Sequence, residues 1–591
     1  MTFVQERPPT SRATAPAVIK SSEHTVTLRD GAKLFYRTWL PEKPTTKTLL
    51  LFHRGHEHSA RWQETVAALG FDDVAVFAWD QRGHGRSSGE RGSAPDLATV
   101  IRDAEEWVRH LRTAHCIELQ ETVVLAHSLG AVIATAWIHD YGPPIRGLIL
   151  ATPAFRVNLY VPFAVGLLRL RQRLFGPGYV KSFIKSTMLT NDPKQAARYN
   201  ADPMIFRQIA VNMLLDLHDT STRLLDDAGA VHVPLLVFAA GSDWVVKESV
   251  QRQFVERASS PIKNFEVLKG FSHAVFHQKD RRLVVNKVRD FINERFGGPA
   301  SQPSLLDADR RGYTHDEHER LLKPGGPWFT PVRWLMKGPG RLSRGIRVGR
   351  KHGYDSGVML DYIYQNRAHG LTPLGRLIDR FFLNAIGWRG IRVRRLLLEK
   401  ALRLLIEQTH SAGRPVRLLD IASGPGRYIL ETMHSLRTIP ISAVLRDYKL
   451  ENLDAAARLR DELGLTQITV ERGDAFDRAG LAAVTPRPTI AIVSGLYELF
   501  PENEPVLRSL RGLADGVEAG GHLIYTNQPW HPQVELIARV LTNREGRPWI
   551  MRRRTQAEID GLVRNAGFEK ISQEIDPSGI FTVSVARRVG A

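Results

Sequence analysis

The stretch Thr122–Gly130 constrains this chain more than any other. Thr122–Leu125 is a β-prone apolar run, Ala126–Gly130 is a turn with small residues on both sides of Ser128, and Ala131–Trp137 reads as a buried helix. A strand, a tight turn and a helix around a serine make the context of a nucleophile elbow. Backbones crowd at such a turn, so the flanking residues must be small; Ala126 stands where glycine is usual.

Further apolar runs surround this one. Thr25–Leu28 and Leu34–Leu40 read as a hairpin around Asp30 and Gly31, and Thr48–Phe52 and Val74–Trp79 as strands buried on both faces. Gly147–Ala151, Leu235–Ala239 and Phe265–Leu268 follow. Strands alternating with helical segments imply right-handed crossovers and a mostly parallel sheet. Chemistry then belongs at the carboxyl ends of the strands. Asp243 follows the strand ending at Ala239, and His273 follows the strand ending at Leu268. Serine, aspartate and histidine in that chain order suit one mechanism. His273 would take the Ser128 proton as the seryl oxygen attacks an ester carbonyl, and Asp243 would fix the imidazole's tautomer. The N–H groups of Leu129 and Gly55 would hold the oxyanion. His53, His56, His58 and His84 read as loop hydrogen-bonders and Asp80 as a turn stabiliser; no metal site is expected, since the spacing lacks the helical two-histidine pattern.

Taken together, His53–Trp62, Asp80–Ser87, Ala126–Gly130, Gly241–Asp243 and Gly270–His273 resemble the monoacylglycerol-lipase-like branch of the α/β-hydrolases, the serine aminopeptidase S33 type. The resemblance implies an α/β-hydrolase domain over residues 21–297 with a helical cap over about 155–232. That family's oxyanion loop runs His-Gly-x-Gly-Glu-His-Ser, and here Arg54 and His56 replace both glycines. Leu189–Pro193 and Tyr199–Pro203 resemble the cap of the same branch. The cap's apolar runs, Leu159–Leu168 and Ile209–Leu215, suit a long acyl chain delivered from a membrane, or equally a face that packs on the core.

At 591 residues the chain exceeds one hydrophobic core, so more domains are required. Residues 1–20 carry scattered prolines and no apolar core, and read as a flexible tail rather than a secretory signal. The single cysteine, Cys116, excludes an internal disulfide framework and suits a reducing compartment. Residues 298–353, rich in Pro and Gly, read as a linker. Within it, Pro331–Gly353 holds Arg333, Lys337, Arg341, Arg344, Arg347, Arg350 and Lys351 without one Asp or Glu. A net charge of +19 invites nucleic acid, but no nucleic-acid-binding signature accompanies this run, so none is expected. A solvated basic linker and attraction to an anionic membrane both remain open.

From residue 354 onward, helical segments lead to Val416–Asp420, a strand that enters a glycine turn through Ala422, Gly424 and Gly426. A dinucleotide fingerprint needs a third small residue where Ile429 stands, which argues against NAD. Asp420 and Asp447, each at a strand tip, suit instead a zwitterionic cofactor with a ribose diol, and Asp474 suits an adenine amino group. Leu419–Gly426, Asp447 and Gly473–Phe476 resemble class I S-adenosylmethionine-dependent methyltransferases. The resemblance implies a Rossmann-like seven-stranded methyltransferase fold over residues 354–591. It also implies S-adenosylmethionine as cofactor, bound by Asp420, Ala422, Gly424, Gly426, Asp447, Asp474 and Ala475. After the fourth strand, Ser494–Glu498 lacks the Pro-Pro-Tyr motif of enzymes that methylate nucleic-acid amines. Tyr497, Glu498, Asn527 and Trp530 are candidates for an acceptor pocket or for the core.

The chain is thus expected to be a bifunctional α/β enzyme of the cytoplasm, peripheral to the inner membrane face. It would join a serine esterase for monoacylglycerol- or lysophospholipid-like esters to a methyltransferase of a lipid or small molecule. Alternatives are an active hydrolase with a non-catalytic methyltransferase-fold scaffold or sensor, and a membrane-recruited adaptor.

Overall fold

The computed structural model describes residues 21–299 and 304–590, so the tail expected over 1–20 lies outside the described residues. Two compact units divide chiefly at residues 302/303, with the short segments Trp137–Pro143 and Asp227–His232 counted in the second.

The first unit carries β1 (Ser22–Thr27), β2 (Lys33–Trp39), β3 (Thr48–Phe52), β4 (Ala75–Trp79), β5 (Thr122–His127), β6 (Gly147–Ala151), β7 (Tyr179–Lys181), β8 (Gln208–Ala210), β9 (Leu235–Ala240) and β10 (Lys263–Leu268). Eight of them form one sheet in the order β1-β2-β4-β3-β5-β6-β9-β10. It is parallel from β4 to β10, with β1 and β2 antiparallel at one edge. Every residue of β3, β4, β5, β6 and β9 is buried, as continuous apolar runs require when both faces of a sheet are covered. A fully buried leucine stabilises by roughly 1.5–3 kcal/mol over an exposed one, so these runs fix the register before any site residue contributes. The helix Leu129–Tyr141 leaves β5 so closely that a Cβ on Gly130 would lie 2.4 Å from the His53 carbonyl oxygen. Only glycine fits there.

The cap is helical over Ala164–Phe175, Pro193–Ala201 and Val211–Asp226, but it also holds the antiparallel pair β7 and β8. Three-residue strands leave no periodicity in the sequence, which is why the cap reads as helix alone. Asp192 begins one of these helices, its carboxylate accepting from the Lys194 N–H at 2.9 Å ahead of Pro193 in the first turn.

The second unit carries β11 (Val416–Asp420), β12 (Ile441–Asp447), β13 (Ile468–Arg472), β14 (Ile490–Val493), β15 (His522–Asn527), β16 (Phe568–Ile575) and β17 (Thr582–Arg588). They make one sheet in the order β13-β12-β11-β14-β15-β17-β16, parallel except for β17, which is antiparallel to both neighbours. Successive side chains face opposite layers. Leu418, Ile490 and Ile492 join one core cluster, while Leu419, Ala491 and Val493 join the other. This is the Rossmann-like seven-stranded order expected of the second domain.

The stretch expected as a linker departs from that reading. Tyr313–Leu322, Thr330–Lys337 and Arg344–His352 are helices. The last is held by Asp379, fully buried on the helix Pro373–Leu383. Its carboxylate accepts from the Ser343 hydroxyl (2.5 Å), the Gly345 N–H (2.7 Å), the Tyr362 hydroxyl (2.5 Å) and the His369 N–H (2.9 Å). Ser343 in turn caps the helix by accepting from the Ile346 N–H at 3.1 Å. Composition reads as linker because the anchoring carboxylate lies far along the chain.

Strand β11 ends at Asp420, which is fully buried. Its carboxylate accepts from the Tyr428 hydroxyl and, at 3.3 Å, from the Ala422 N–H. Burial pushes the carboxyl up to about 7, against the opposing effect of Tyr428. The folded chain therefore keeps a proton that the unfolded chain releases above about pH 4. This group's contribution to stability is greatest below that pH and falls as pH rises towards 7. Asp420→Asn should remove that slope. Scanning calorimetry of the full chain should find wild type losing about 2–4 kcal/mol relative to the variant between about pH 4 and about pH 7. A difference independent of pH would refute it.

Candidate active sites

Ser128 sits at the turn between β5 and its helix with φ 55°, in the left-handed region. For a residue with a Cβ this costs about 1–3 kcal/mol and persists only where neighbours hold it. Here the Ser128 N–H donates to the Ala151 carbonyl at 2.9 Å, and its own carbonyl accepts from the N–H groups of Ala131 (3.1 Å) and Ala154 (3.2 Å). The hydroxyl lies 2.8 Å from His273 Nε2. His273 Nδ1 lies 2.9 Å from Asp243 Oδ2, and Asp243 Oδ1 accepts from the N–H groups of Val245 (2.8 Å) and Val246 (3.1 Å). The backbone of His273 is pinned too, its carbonyl accepting from Thr152 Oγ1 at 3.0 Å and from His127 Nε2 at 3.1 Å. Burial holds the His127 ring well below its ordinary pKa, so it donates as a neutral imidazole. This arrangement can pass the seryl proton to an imidazole whose orientation a carboxylate fixes.

Gly55 and Leu129, the expected oxyanion donors, face each other, since a Cβ on Gly55 would lie 3.5 Å from Leu129 Cδ2. Leu129 opens its helix, so its N–H has no acceptor within the helix. Where the family carries its two glycines, the chain finds another solution. His56 takes the left-handed backbone itself, at φ 68°. Arg54 is buried, donates to Glu57 at 2.8 Å and lies 5.0 Å from the centre of the Tyr199 ring in the cap. Burial raises the Glu57 carboxyl, but Arg54 and Arg61 outweigh it and hold the group well below the usual range. Burial and Arg54 lower His56 to about 4.

The other loop histidines and Asp80 have partners. His58 meets Asp202 of the cap at 2.9 Å, His53 Nε2 accepts from the Gln81 N–H at 3.0 Å, and His84 meets the Gln81 amide at 3.1 Å. Asp80 accepts from the N–H groups of Ser59 (2.6 Å) and Arg86 (2.8 Å), tying two loops together. Above Ser128 opens a cavity of about 500 Å³ whose walls include Leu159, Tyr160, Leu167, Leu168, Ile209 and Leu214.

In the second unit the glycine turn after β11 borders a cavity of about 590 Å³. Ala422, Gly424, Gly426, Asp447, Asp474 and Ala475 all stand in its wall. Asp420 does not; it lies behind the turn, occupied by Tyr428. Gly424 and Gly426 have φ 54° and 66°, and a Cβ on Gly424 would meet nothing nearer than 3.9 Å, so it would project into the open space a ligand needs. Asp447 orders the turn by accepting from the Gly424 N–H (2.9 Å), while its other oxygen accepts from Lys449 N–H (2.9 Å) and Asn452 Nδ2 (3.0 Å). Asp474 is exposed at the rim. A carboxylate at the tip of β12, an open glycine turn and an acidic rim fit a cofactor with a ribose diol and an amino-bearing base.

Of the four acceptor candidates, only Glu498 lines a cavity, a second one of about 200 Å³. Tyr497 donates to Ser509 at 2.9 Å, Asn527 donates to the Arg554 carbonyl at 3.0 Å, and Trp530 packs against the Tyr354 and Trp388 cluster. Sequence reasoning missed Arg394, Trp388 and Trp549 in the same wall. For Arg394 there was a signal: it lies on the buried stripe Ile391, Arg394, Leu398, Leu402, Leu405 of its helix.

No helix among the described residues is long and apolar enough to cross a membrane. Comparison with known proteins places both halves. The model of the "Serine aminopeptidase, S33" family matches residues 43–280, and that of the "Putative methyltransferase" family matches residues 288–588. The "Uncharacterized protein YnbC" of Escherichia coli (strain K12) is 46% identical over 96% of this chain and 98% of its own length. The monoacylglycerol lipase of Mycolicibacterium smegmatis is 28% identical over 46% of this chain and 96% of its own length. The human monoglyceride lipase is 27% identical over 45% of this chain and 86% of its own length. The chain belongs to the family of that second model, and it joins to that methyltransferase-family half a monoacylglycerol-lipase-like α/β-hydrolase domain of the S33 type.

Proposed function

We propose that the first domain is a serine esterase for monoacylglycerol- or lysophospholipid-like esters. One observation carries this reading: Ser128, His273 and Asp243 form an unbroken relay, at 2.8 and 2.9 Å, beneath an apolar cavity of about 500 Å³. His273 Nε2 takes the seryl proton as Oγ attacks the ester carbonyl, then returns it to the leaving alcohol. Asp243 holds the imidazole and balances its charge. Gly55 and Leu129 donate to the oxyanion, each worth about 3–4 kcal/mol in the transition state. The deacylating water enters as the alcohol leaves.

The cap gives the membrane reading its support. Its helix Ala164–Phe175 buries no residue, with Phe163 and Phe175 89% and 78% exposed beside Arg169, Arg171 and Arg173. Such a helix suits insertion of its apolar face at an anionic lipid surface, from which the acyl chain passes to Ser128. A reducing cytoplasm suits the lone, exposed Cys116.

For the second domain the reading is an S-adenosylmethionine-dependent methyltransferase, the cofactor supplying an electrophilic methyl group. Asp447 would accept from the ribose hydroxyls, Gly424 and Gly426 would let the backbone approach, and Asp474 with Ala475 would receive the adenine. Asp420 would act from behind, by holding Tyr428 and the turn.

Three outcomes test these readings. Ser128→Ala should abolish labelling by a fluorophosphonate and lower esterase kcat by at least about 10⁴-fold; retained labelling would end the hydrolase assignment. Asp447→Ala should weaken S-adenosylmethionine binding about tenfold or more by calorimetry, while Ser128→Ala leaves it unchanged. No binding to wild type at millimolar ligand would remove the donor. Vesicles containing anionic lipid should sediment with wild type and about tenfold less with Phe163→Ser/Phe175→Ser. Equal recovery with neutral vesicles would refute the electrostatic part.

A further inference from the structure

The cavity of about 200 Å³ in the second unit shares Asp355, Leu360, Arg394, Gly495 and Leu499 with the wall of the larger one, so the two adjoin. Its walls are largely aromatic and aliphatic, with Trp388, Trp549, Phe382 and Phe581 among them, and include Gln528, His531 and Gln533. Two carboxylates, Asp355 and Glu498, stand in this otherwise largely apolar wall. Glu498 is 7% exposed; its Oε1 accepts from Thr526 Oγ1 at 3.3 Å and lies 3.8 Å from Arg394 Nη1. Its Oε2 has no hydrogen-bond partner although it is buried. An unpaired buried carboxylate oxygen is expensive and calls for an explanation. Two other carboxylates of this domain have one oxygen in the same state, Glu558 and Asp355, the latter in the same wall with its other oxygen held by Arg544 at 2.9 Å, whereas Asp379 accepts from four donors.

Volume narrows what the site holds. An apolar cavity of about 150 Å³ takes benzene, so one of this size takes one or two rings. Acidity narrows it further. A carboxylate can assist loss of a proton from a phenol, whose pKa is about 10, far more readily than from an alkanol. We propose that this cavity binds a small hydroxyarene with its hydroxyl on Glu498 Oε2, and that this hydroxyl is the methyl acceptor. The proposal rests on the donor reading given above. In the transfer the acceptor oxygen forms its bond to the methyl carbon and the carbon–sulfur bond of the sulfonium breaks. That bond's electron pair stays on sulfur, and the phenolic proton passes to Glu498 Oε2. Burial, opposed by Arg394, raises the Glu498 pKa above its usual range, which strengthens it as a base. Arg394 acts as a positioning residue, holding Oε1 so that Oε2 faces the ligand.

Three ten-carbon probes separate the claims: 2-naphthol, naphthalene and 1-decanol, each titrated calorimetrically into the full chain without donor. 2-Naphthol should bind about tenfold or more tightly than naphthalene, which lacks the hydroxyl, and than 1-decanol, whose chain must be ordered. Glu498→Leu should erase the advantage over naphthalene, and Ala385→Phe, which fills the cavity, should weaken both arenes about tenfold while still binding S-adenosylmethionine. With donor present, 2-methoxynaphthalene should form, about 100-fold more slowly in Glu498→Gln. Should the donor not bind while the probe pattern holds, the donor reading falls and the hydroxyarene site stands. Should the donor bind while 2-naphthol does not, or while 1-decanol binds more tightly, the inference is overturned.

Discussion

Burial on both faces of a parallel sheet is the constraint on which both halves of this protein depend. A strand covered on both sides must be apolar along its whole length, so polar chemistry is pushed to where the strand ends. Strand β5 ends at His127, and the next residue is Ser128; β9 ends three residues before Asp243; β10 ends five before His273. None of these side chains is near another in sequence. They meet at hydrogen-bond distance because in-register strands bring their carboxyl ends to one rim. In the second unit the same rule delivers the glycine turn after β11 and Asp447 at the end of β12 to one cavity.

That constraint also decides what could be read beforehand. Residues at strand ends were legible because apolar runs announce themselves and the residue following each is then conspicuous. Ser128, Asp243, His273 and Asp447 all belong to this class. Features made by long-range polar contacts were not. Residues 304–353 carry the Pro, Gly and Arg of a linker, yet the basic helix Arg344–His352 is anchored by Asp379. Arg394 was hidden for a related reason: one arginine within a leucine-rich stripe looks like an interruption until the cavity beside it is known. Asp420 shows a motif without its placement, since its spacing suits a cofactor ligand while the fold turns it towards Tyr428.

The oxyanion loop illustrates how a strained geometry survives loss of the residues that usually permit it. Two glycines in the family pattern supply freedom of backbone; here Arg54 and His56 supply constraint instead. His56 holds its left-handed backbone although it carries a Cβ, at a cost of about 1–3 kcal/mol. The buried Arg54–Glu57 pair, with Arg61 on the same carboxylate and Tyr199 beneath the guanidinium, ties the loop to the cap. Breaking one partner of such a pair leaves a buried charge alone, which is far more costly than the pair is favourable. The loop is therefore over-determined, and Gly55 keeps its place against Leu129.

Buried carboxylates in this chain differ in how many donors surround them. Asp379, with four donors, is saturated and has nothing left to offer a ligand. Asp80 gives each of its two oxygens to one backbone N–H, while Asp243 uses one oxygen for two backbone N–H groups and spends the other on His273. Asp447 accepts from three groups, which order the turn, yet it still stands in the cavity wall. Glu498, in the wall of the smaller cavity, has one oxygen weakly held and the other buried without a hydrogen-bond partner. An acid that only stabilised the fold would be better satisfied or replaced by an apolar residue of the same shape. Its place in the wall of the smaller cavity follows if the missing partner is the molecule that enters there.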